Sequence, residues 1–247
     1  LSFVNSNLIK NINFSAGGFQ SKYGDKLSSV LDIEYKNPQI NNVSGSLNLL
    51  GGNVTLQNIS KKAKTSNILG IRYRDNSMLV NSKETVTNYN PKFIDIQSFL
   101  TSNFTEKLSL NFLAYMSIND YNYKPQSRQT NFGTLDDPTA LTVLYDGQEK
   151  DKYQTLFGAT KLNYKAAENL DLSLIASTFQ TSEKEYFDIL AQYGLGEVNN
   201  NIGDEDLGTV EFSEGIGSQL SHARNNLNAL IYNLEHKGIY KKNNNNY

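Results

Sequence analysis

Imidazoles are the first side chains to test for chemistry, and this chain has two, His222 and His236. Neither stands in an E-x-x-H pattern or beside carboxylates at a ligating spacing, so both read as structural. The absence of cysteine removes disulfides and Cys-ligated zinc or iron–sulfur sites. There is no G-x-S-x-G elbow, phosphate loop or dinucleotide fingerprint. The serines lack the positioned base a nucleophile needs. Gly203-Asp204-Glu205-Asp206-Leu207-Gly208 is acidic but lacks the Asp-x-Asp-x-Asp-Gly order of a calcium loop, and reads as a solvated loop. Lys61-Lys62-Ala63-Lys64 is a short basic turn. The expectation is no enzyme, no metal and no cofactor. With net charge −2 and pI near 5.8, no basic footprint for nucleic acid exists either.

What remains is recognition chemistry. Tyr121, Tyr123, Arg128, Phe132 and Tyr145 fall within 121–150, and Tyr186 and Tyr193 within 186–221. Rings and a guanidinium on connecting segments suit sugar rings, peptides or iron-chelate catechols. Asp136, Asp137, Asp204, Glu205 and Asp206 make the same segments acidic, which favours a neutral or cationic ligand.

The elements that must position these residues are strands. Period-two alternation recurs, and helical periodicity is hard to find. In 107–119, Leu108, Leu110, Phe112, Ala114, Met116 and Ile118 share one face, while Ser109, Asn111, Ser117 and Asn119 share the other. Segments 67–74, 92–104 and 169–179 repeat the pattern. The composition agrees: 15 Tyr and 12 Phe without Trp, few prolines, and many polar turn formers. No stretch approaches the roughly 18 apolar residues of a membrane helix. Alternation alone fits a soluble sandwich with its apolar face inward, or a membrane barrel with that face outward.

Connection lengths favour the barrel. Short links at 61–65, 105–107 and 166–169 alternate with long ones at 78–90, 121–150 and 186–221, as periplasmic turns alternate with extracellular loops. Long structureless loops are uncommon in compact soluble domains. Gly51-Gly52 closes a first hairpin. Tyrosines near the strand ends suit a membrane interface. The expected strands are 43–50, 53–59, 66–77, 91–104, 107–120, 151–165, 169–185 and 223–240.

Ahead of them stands a glycine-marked segment, Ala16-Gly17-Gly18-Phe19, Tyr23-Gly24 and Ser28-Ser29-Val30-Leu31-Asp32-Ile33, between short strands at 8–14 and 28–36. This run resembles the C-terminal part of the plug domain of TonB-dependent outer-membrane receptors. Residues 215–238 resemble a strand following a large extracellular loop in such receptors, especially those of Bacteroidetes-type bacteria. The resemblance implies an all-β fold: a plug end at 1–38, then at 39–247 the first strands, about eight, of an antiparallel transmembrane barrel of about 22. The start at Leu1-Ser2-Phe3 and the end in an Asn run read as a fragment of that longer chain.

By the same resemblance, the function is import of a large scarce nutrient (siderophore, cobalamin, glycan or peptide) across the bacterial outer membrane. The partners are outer-membrane lipid, the TonB complex through a region ahead of this one, the extracellular ligand and a surface lipoprotein. Gly17, Gly18, Phe19, Tyr23 and Gly24 form the plug motif, with glycines where a Cβ would disturb the backbone or its contacts. Arg72 and Arg74 would each cost roughly 2–4 kcal/mol facing lipid, so they point into the lumen toward plug carboxylates or water. The alternative is a soluble or surface-attached β-domain acting in binding or adhesion. A barrel lipase or protease lacks its nucleophile and base.

Overall fold

The computed structural model describes residues 4–20, 23–24, 28–81, 87–134, 137–242 and 245–246. A 3-10 turn at Ser6–Leu8 leads into β1 (Ile9–Ser15), which pairs antiparallel with β2 (Val30–Tyr35) as a separate two-stranded sheet. The link 36–41 then enters a second sheet. It contains β3 (Asn42–Asn48), β4 (Gly51–Ile59), β5 (Thr65–Asp75), β6 (Thr87–Asn103), β7 (Leu108–Pro125), β8 (Arg128–Gly133), β9 (Pro138–Ala167), β10 (Leu170–Val198), β11 (Val210–Lys242) and β12 (Asn245–Asn246). A five-residue helix, α1 (Ser77–Asn81), precedes β6.

Strands β3 to β7 and β9 to β12 pair in chain order and antiparallel, and β8 folds back onto β9. The sheet is open: its edges are β3 and β12. The all-β antiparallel class expected from alternation is present. Closure into a barrel is not a feature of these strands.

At one end the connections are tight. Ser60 N–H donates to Thr65 O at 2.8 Å, with Ala63 at φ 51°, and Phe104 N–H donates to Leu108 O at 3.0 Å. At the other end the structure corrects the sequence reading. Segments 121–150 and 186–221 are not long loops. Strand β7 runs on to Pro125, β8 and β9 pair as a hairpin, and β10 and β11 extend to Val198 and from Val210. The reason lies in residue type: Tyr, Thr and Val keep strand preference even where neither face is apolar. Between β10 and β11, residues 199–209 remain a loop. There Gly203 and Gly208 have positive φ, and Gly208 N–H donates to Asn199 O at 2.8 Å.

Register sorts the side chains into two faces. One row runs Arg72, Asp95, Ser117, Thr155 and Thr181 across five strands, and the next runs Gly70, Gln97, Tyr115, Phe157 and Phe179. The opposite face carries Val54, Ile71, Ile96, Met116 and Leu156 in a single row. This apolar belt spans Leu69–Tyr73 on β5, Leu108–Ile118 on β7, Leu156–Tyr164 on β9 and Leu230–Tyr240 on β11. Much of it is bare: Val54, Ile71, Ile94, Phe112, Met116, Leu156, Leu174, Leu230 and Leu234 are all exposed. On β11, whose outer side is paired by β12 at Lys241 and Lys242 alone among the described residues, the other face is bare too, at Leu227, Ile231 and Ile239.

Burial therefore falls on the polar face. Asn5, Leu8, Ile68 and Gln97 are fully buried, where the N-terminal segment lies on β4 to β6. A sheet that covers its polar side and exposes its apolar side is inverted relative to a soluble sandwich. Along β7 the belt is about 33 Å long at ~3.3 Å per residue. A strand tilt of about 40° shortens this to roughly 25 Å, the height of a membrane barrel's apolar band.

The two faces of β7 make this testable. Leu110 lies on the apolar face, whereas Asn111 lies on the polar one, donating to Thr101 Oγ1 at 3.0 Å and accepting from Asn163 at 2.9 Å. If lipid covers the apolar face, Leu110→Arg should impair assembly by about 2–4 kcal/mol, and Asn111→Ser far less. Equal yields of folded protein from the two variants would count against an outward apolar face.

Candidate functional site

The first cluster is a dock for the N-terminal segment. Arg72 and Asp95 occupy directly paired positions on β5 and β6, so their side chains meet on the polar face. Arg72 Nε lies 3.0 Å from both carboxylate oxygens of Asp95, and Nη2 donates to Oδ2 as well. Asp95 is 2% exposed. The guanidinium also lies 5.8 Å from the Phe93 ring centroid, and its Nη1 donates to the Val4 carbonyl at 3.2 Å. Thus Arg72 lies on the polar face, beneath the N-terminal segment. Its charge partner is a neighbouring strand's carboxylate rather than one of the N-terminal unit, because cross-strand pairing places that carboxylate within reach. Arg74 is exposed on the same face and lines a crevice with Asn48, Asn53 and Asn76.

Around the ion pair, amides hold the segment down. Asn5 N–H donates to Gln97 Oε1 at 3.0 Å, and Gln97 Nε2 donates to the Tyr35 hydroxyl at 2.9 Å. Asn7 Nδ2 donates to Asn53 Oδ1 at 2.9 Å, and Ser66 Oγ to Asn37 Oδ1 at 2.6 Å. Tyr35 stacks on Phe99 with centroids 4.7 Å apart, and burial pushes its hydroxyl up to about 12. Gly70 lies beneath the segment: a Cβ there would stand 2.5 Å from Asn5 Nδ2 and 3.0 Å from Leu8 Cδ2. Glycine is needed at this position for close approach.

The second cluster lies on the same face beyond the level of the belt. Tyr89 stacks on Tyr121 at 6.0 Å, and Tyr121 meets Tyr153 edge-on at 5.6 Å. Register sets Asp151 between Tyr121 and Glu185, and Glu149 opposite Tyr123. The Tyr153 hydroxyl donates to Glu185 Oε1 at 2.8 Å. Burial, then the nearby Glu149 and Glu185, push the Asp151 carboxyl up to about 6. Burial also raises the Tyr89, Tyr121 and Tyr153 hydroxyls. The result is an aromatic wall with excess negative charge, suited to a flat ring or a cationic group.

The other recognition candidates do not gather there. Arg128 and Phe132 are exposed on β8, Tyr145 follows on β9, and Tyr193 lies farther out on β10, its hydroxyl donating to Gln219 Oε1 at 3.4 Å. Tyr186 is on the opposite face, under Arg224 at 5.4 Å. Asp137, Asp204, Glu205 and Asp206 are described, and Asp136 lies outside the described residues. Sequence reasoning missed Tyr89, Tyr153, Asp151 and Glu185. Their signal is every-second-residue spacing, Glu149-x-Asp151-x-Tyr153 against Glu183-x-Glu185, once the two segments are read as paired strands.

In the glycine-marked segment, Gly17 and Gly18 have φ of 87° and 60°, in open space, so conformation rather than packing requires glycine. Gly24 shows no positive φ and, among the described residues, no atom close to where a Cβ would stand, contrary to expectation. Phe19 is half-buried, and the Tyr23 hydroxyl donates to Asp32 Oδ2 at 2.9 Å. His222 and Arg224 both hold Asp188, and Arg224 first, then His222, keep that carboxyl low. Among the described residues, no three His, Asp or Glu side chains converge as a cation site.

No known family, curated protein or solved structure matches the chain.

Two outcomes follow from the clusters. Asp95→Ala takes the carboxylate from beside the part-buried Arg72 guanidinium and should cost about 3–5 kcal/mol in urea unfolding. Lys10→Ala, which breaks the exposed pair with Glu34, should cost less than about 1 kcal/mol. Asp151 has a folded pKa above its ordinary value, so ionising it opposes folding. The penalty is absent below 3.8, grows up to about 6 and is complete above that. Asp151→Asn should therefore raise thermal stability on the alkaline side of this window and leave it unchanged on the acid side.

Proposed function

We propose that this chain is part of a TonB-dependent outer-membrane receptor, with the β1–β2 unit as the end of its plug and β3 onward as the first strands of its barrel wall. The observation that carries the reading is the inversion of the sheet. Its apolar face is bare over a height that suits a bilayer, while its polar face is covered across β4 to β6 by the chain's own N-terminal segment. A soluble or surface-attached β-domain with these strands would turn Phe112, Met116 and Leu156 inward, because apolar surface is driven out of water. The open edges at β3 and β12 suit a wall whose remaining strands belong to other parts of a longer chain, since closure is how a membrane sheet satisfies its edges. Tight turns at one end and long paired strands at the other repeat the asymmetry of outer-membrane barrels.

On this reading the protein is a transporter with no catalytic step. Strands β7, β9 and β10 project beyond the bilayer on the extracellular side, and the wall of Tyr89, Tyr121 and Tyr153 faces the passage a nutrient would take. Its carboxylates favour a neutral or cationic ligand. TonB would act through a region ahead of this one, on the segment held by Arg72, Gln97 and Asn53.

Fractionation of cells carrying the full-length protein tests the reading. It should stay in the outer membrane after alkaline extraction and require detergent for purification. Gly70→Leu should assemble and reach the membrane but dislodge the N-terminal segment, admitting a large antibiotic that the wild type excludes. Recovery of monodisperse protein from water without detergent would sink the proposal.

A further inference from the structure

Past the belt, the outer face changes character abruptly. A row of directly paired residues runs Asp75, Lys92, Asp120, Lys152 and Lys184 from β5 to β10. At its start opposite charges alternate, with Lys92 Nζ 3.0 Å from Asp75 Oδ2. The alternation then fails, and Lys152 and Lys184 face each other directly. Lys150 stands two residues from Lys152 on the same side, across from Tyr186. Among the described residues, Lys150, Lys152 and Lys184 form no salt bridge. All three are exposed and border a crevice of about 620 Å³ with Asn122, Tyr186 and Asp120, whose single carboxylate opposes Lys152 and leaves two of the three ammonium charges without a counter-charge in the row.

Like charges at directly opposed positions, with Cβ atoms about 5 Å apart, weaken a sheet unless an anion lies between them. Height identifies the anion. The lysine row lies two rows above Leu156 and Leu230, on the order of 13 Å along the strand and less along the membrane normal. Lysine stems lie down over apolar surface while their ammonium groups stay wet, and so reach toward the edge of the belt. The lysines share the side of the sheet on which acyl chains would lie, not the passage side. Tyr186, apolar at one end and wet at the other, suits the same depth.

We infer that Lys150, Lys152 and Lys184 form a docking surface for the phosphate headgroup of an anionic membrane lipid. The inference rests on the membrane-wall reading above. A lipid seated here would have its acyl chains on Met116, Leu156 and Leu230 and its phosphate between Lys152 and Lys184. Its negative charge would remove the repulsion that pairing imposes, so the wall would be most stable with the lipid bound.

The test uses the full-length protein in nanodiscs of phosphatidylcholine containing a minority of phosphatidylglycerol, with lipid retained after detergent extraction counted by native mass spectrometry. Entry into nanodiscs reports on the wall reading, and lipid preference reports on this inference, so the two fail separately. Wild type should enrich phosphatidylglycerol, and Lys152→Gln/Lys184→Gln should reduce the enrichment by about tenfold or more. The control Lys161→Gln/Lys165→Gln removes the same charge from the polar face and should leave it unchanged. Enrichment that survives the first double substitution overturns the inference, as does equal loss in both. Displacement of the lipid by millimolar inorganic phosphate would assign the lysines to a soluble anion and overturn it as well.

Discussion

A guanidinium held against a buried carboxylate is the constraint on which the covered face depends. Arg72 cannot turn to the bare face without losing Asp95, and Asp95 cannot lose Arg72 without becoming an isolated buried charge. Their cross-strand position fixes the register of β5 against β6, since a slip of one residue would put Arg72 and Asp95 on opposite faces. The same guanidinium reaches the Val4 carbonyl, so strand register and the seating of the N-terminal segment rest on one side chain. Gln97 links the dock to the hairpin in a similar way, accepting from the Asn5 backbone and donating to Tyr35.

The rest of the sheet follows from having one wet covered side and one bare apolar side. Rows such as Ser117, Thr155 and Thr181 carry hydroxyls where a soluble domain would carry leucine. Gly70 gives up its side chain so that Leu8 and Asn5 can lie against the backbone. Past the belt both faces become polar. There the strands persist through their own pairing and through contacts such as the Tyr89, Tyr121 and Tyr153 stack rather than through burial.

The belt was legible in the sequence because alternation is strongest where one face is purely apolar: Leu108 to Ile118 announces its strand, its faces and its length. Beyond Ile118 that contrast disappears, so a strand continuing to Pro125 reads like a loop, and so do the paired stretches of β9 and β10. Placement of Arg72 off the apolar face followed from cost alone. Its partner did not, since Asp95 is far away in sequence and only register brings it opposite. The tyrosine wall was partly visible, through Tyr121. Its other members lie on segments whose pairing no local pattern reveals.

The link 36–41 joins the docked hairpin directly to β3, with Lys36 N–H bonded to Leu8 O and Asn37 accepting from Ser66. Fully stretched, it spans about 25 Å. A hairpin pulled from its seat stays on a leash of that length, so its return is a first-order event at an effective concentration in the millimolar range, whatever the density of neighbouring molecules. Asn5 Nδ2 and Thr55 Oγ1, buried without hydrogen-bond partners among the described residues, keep the seated state short of its full hydrogen-bond complement. A short leash with an imperfect latch yields a part that lets go under modest load and snaps back without searching.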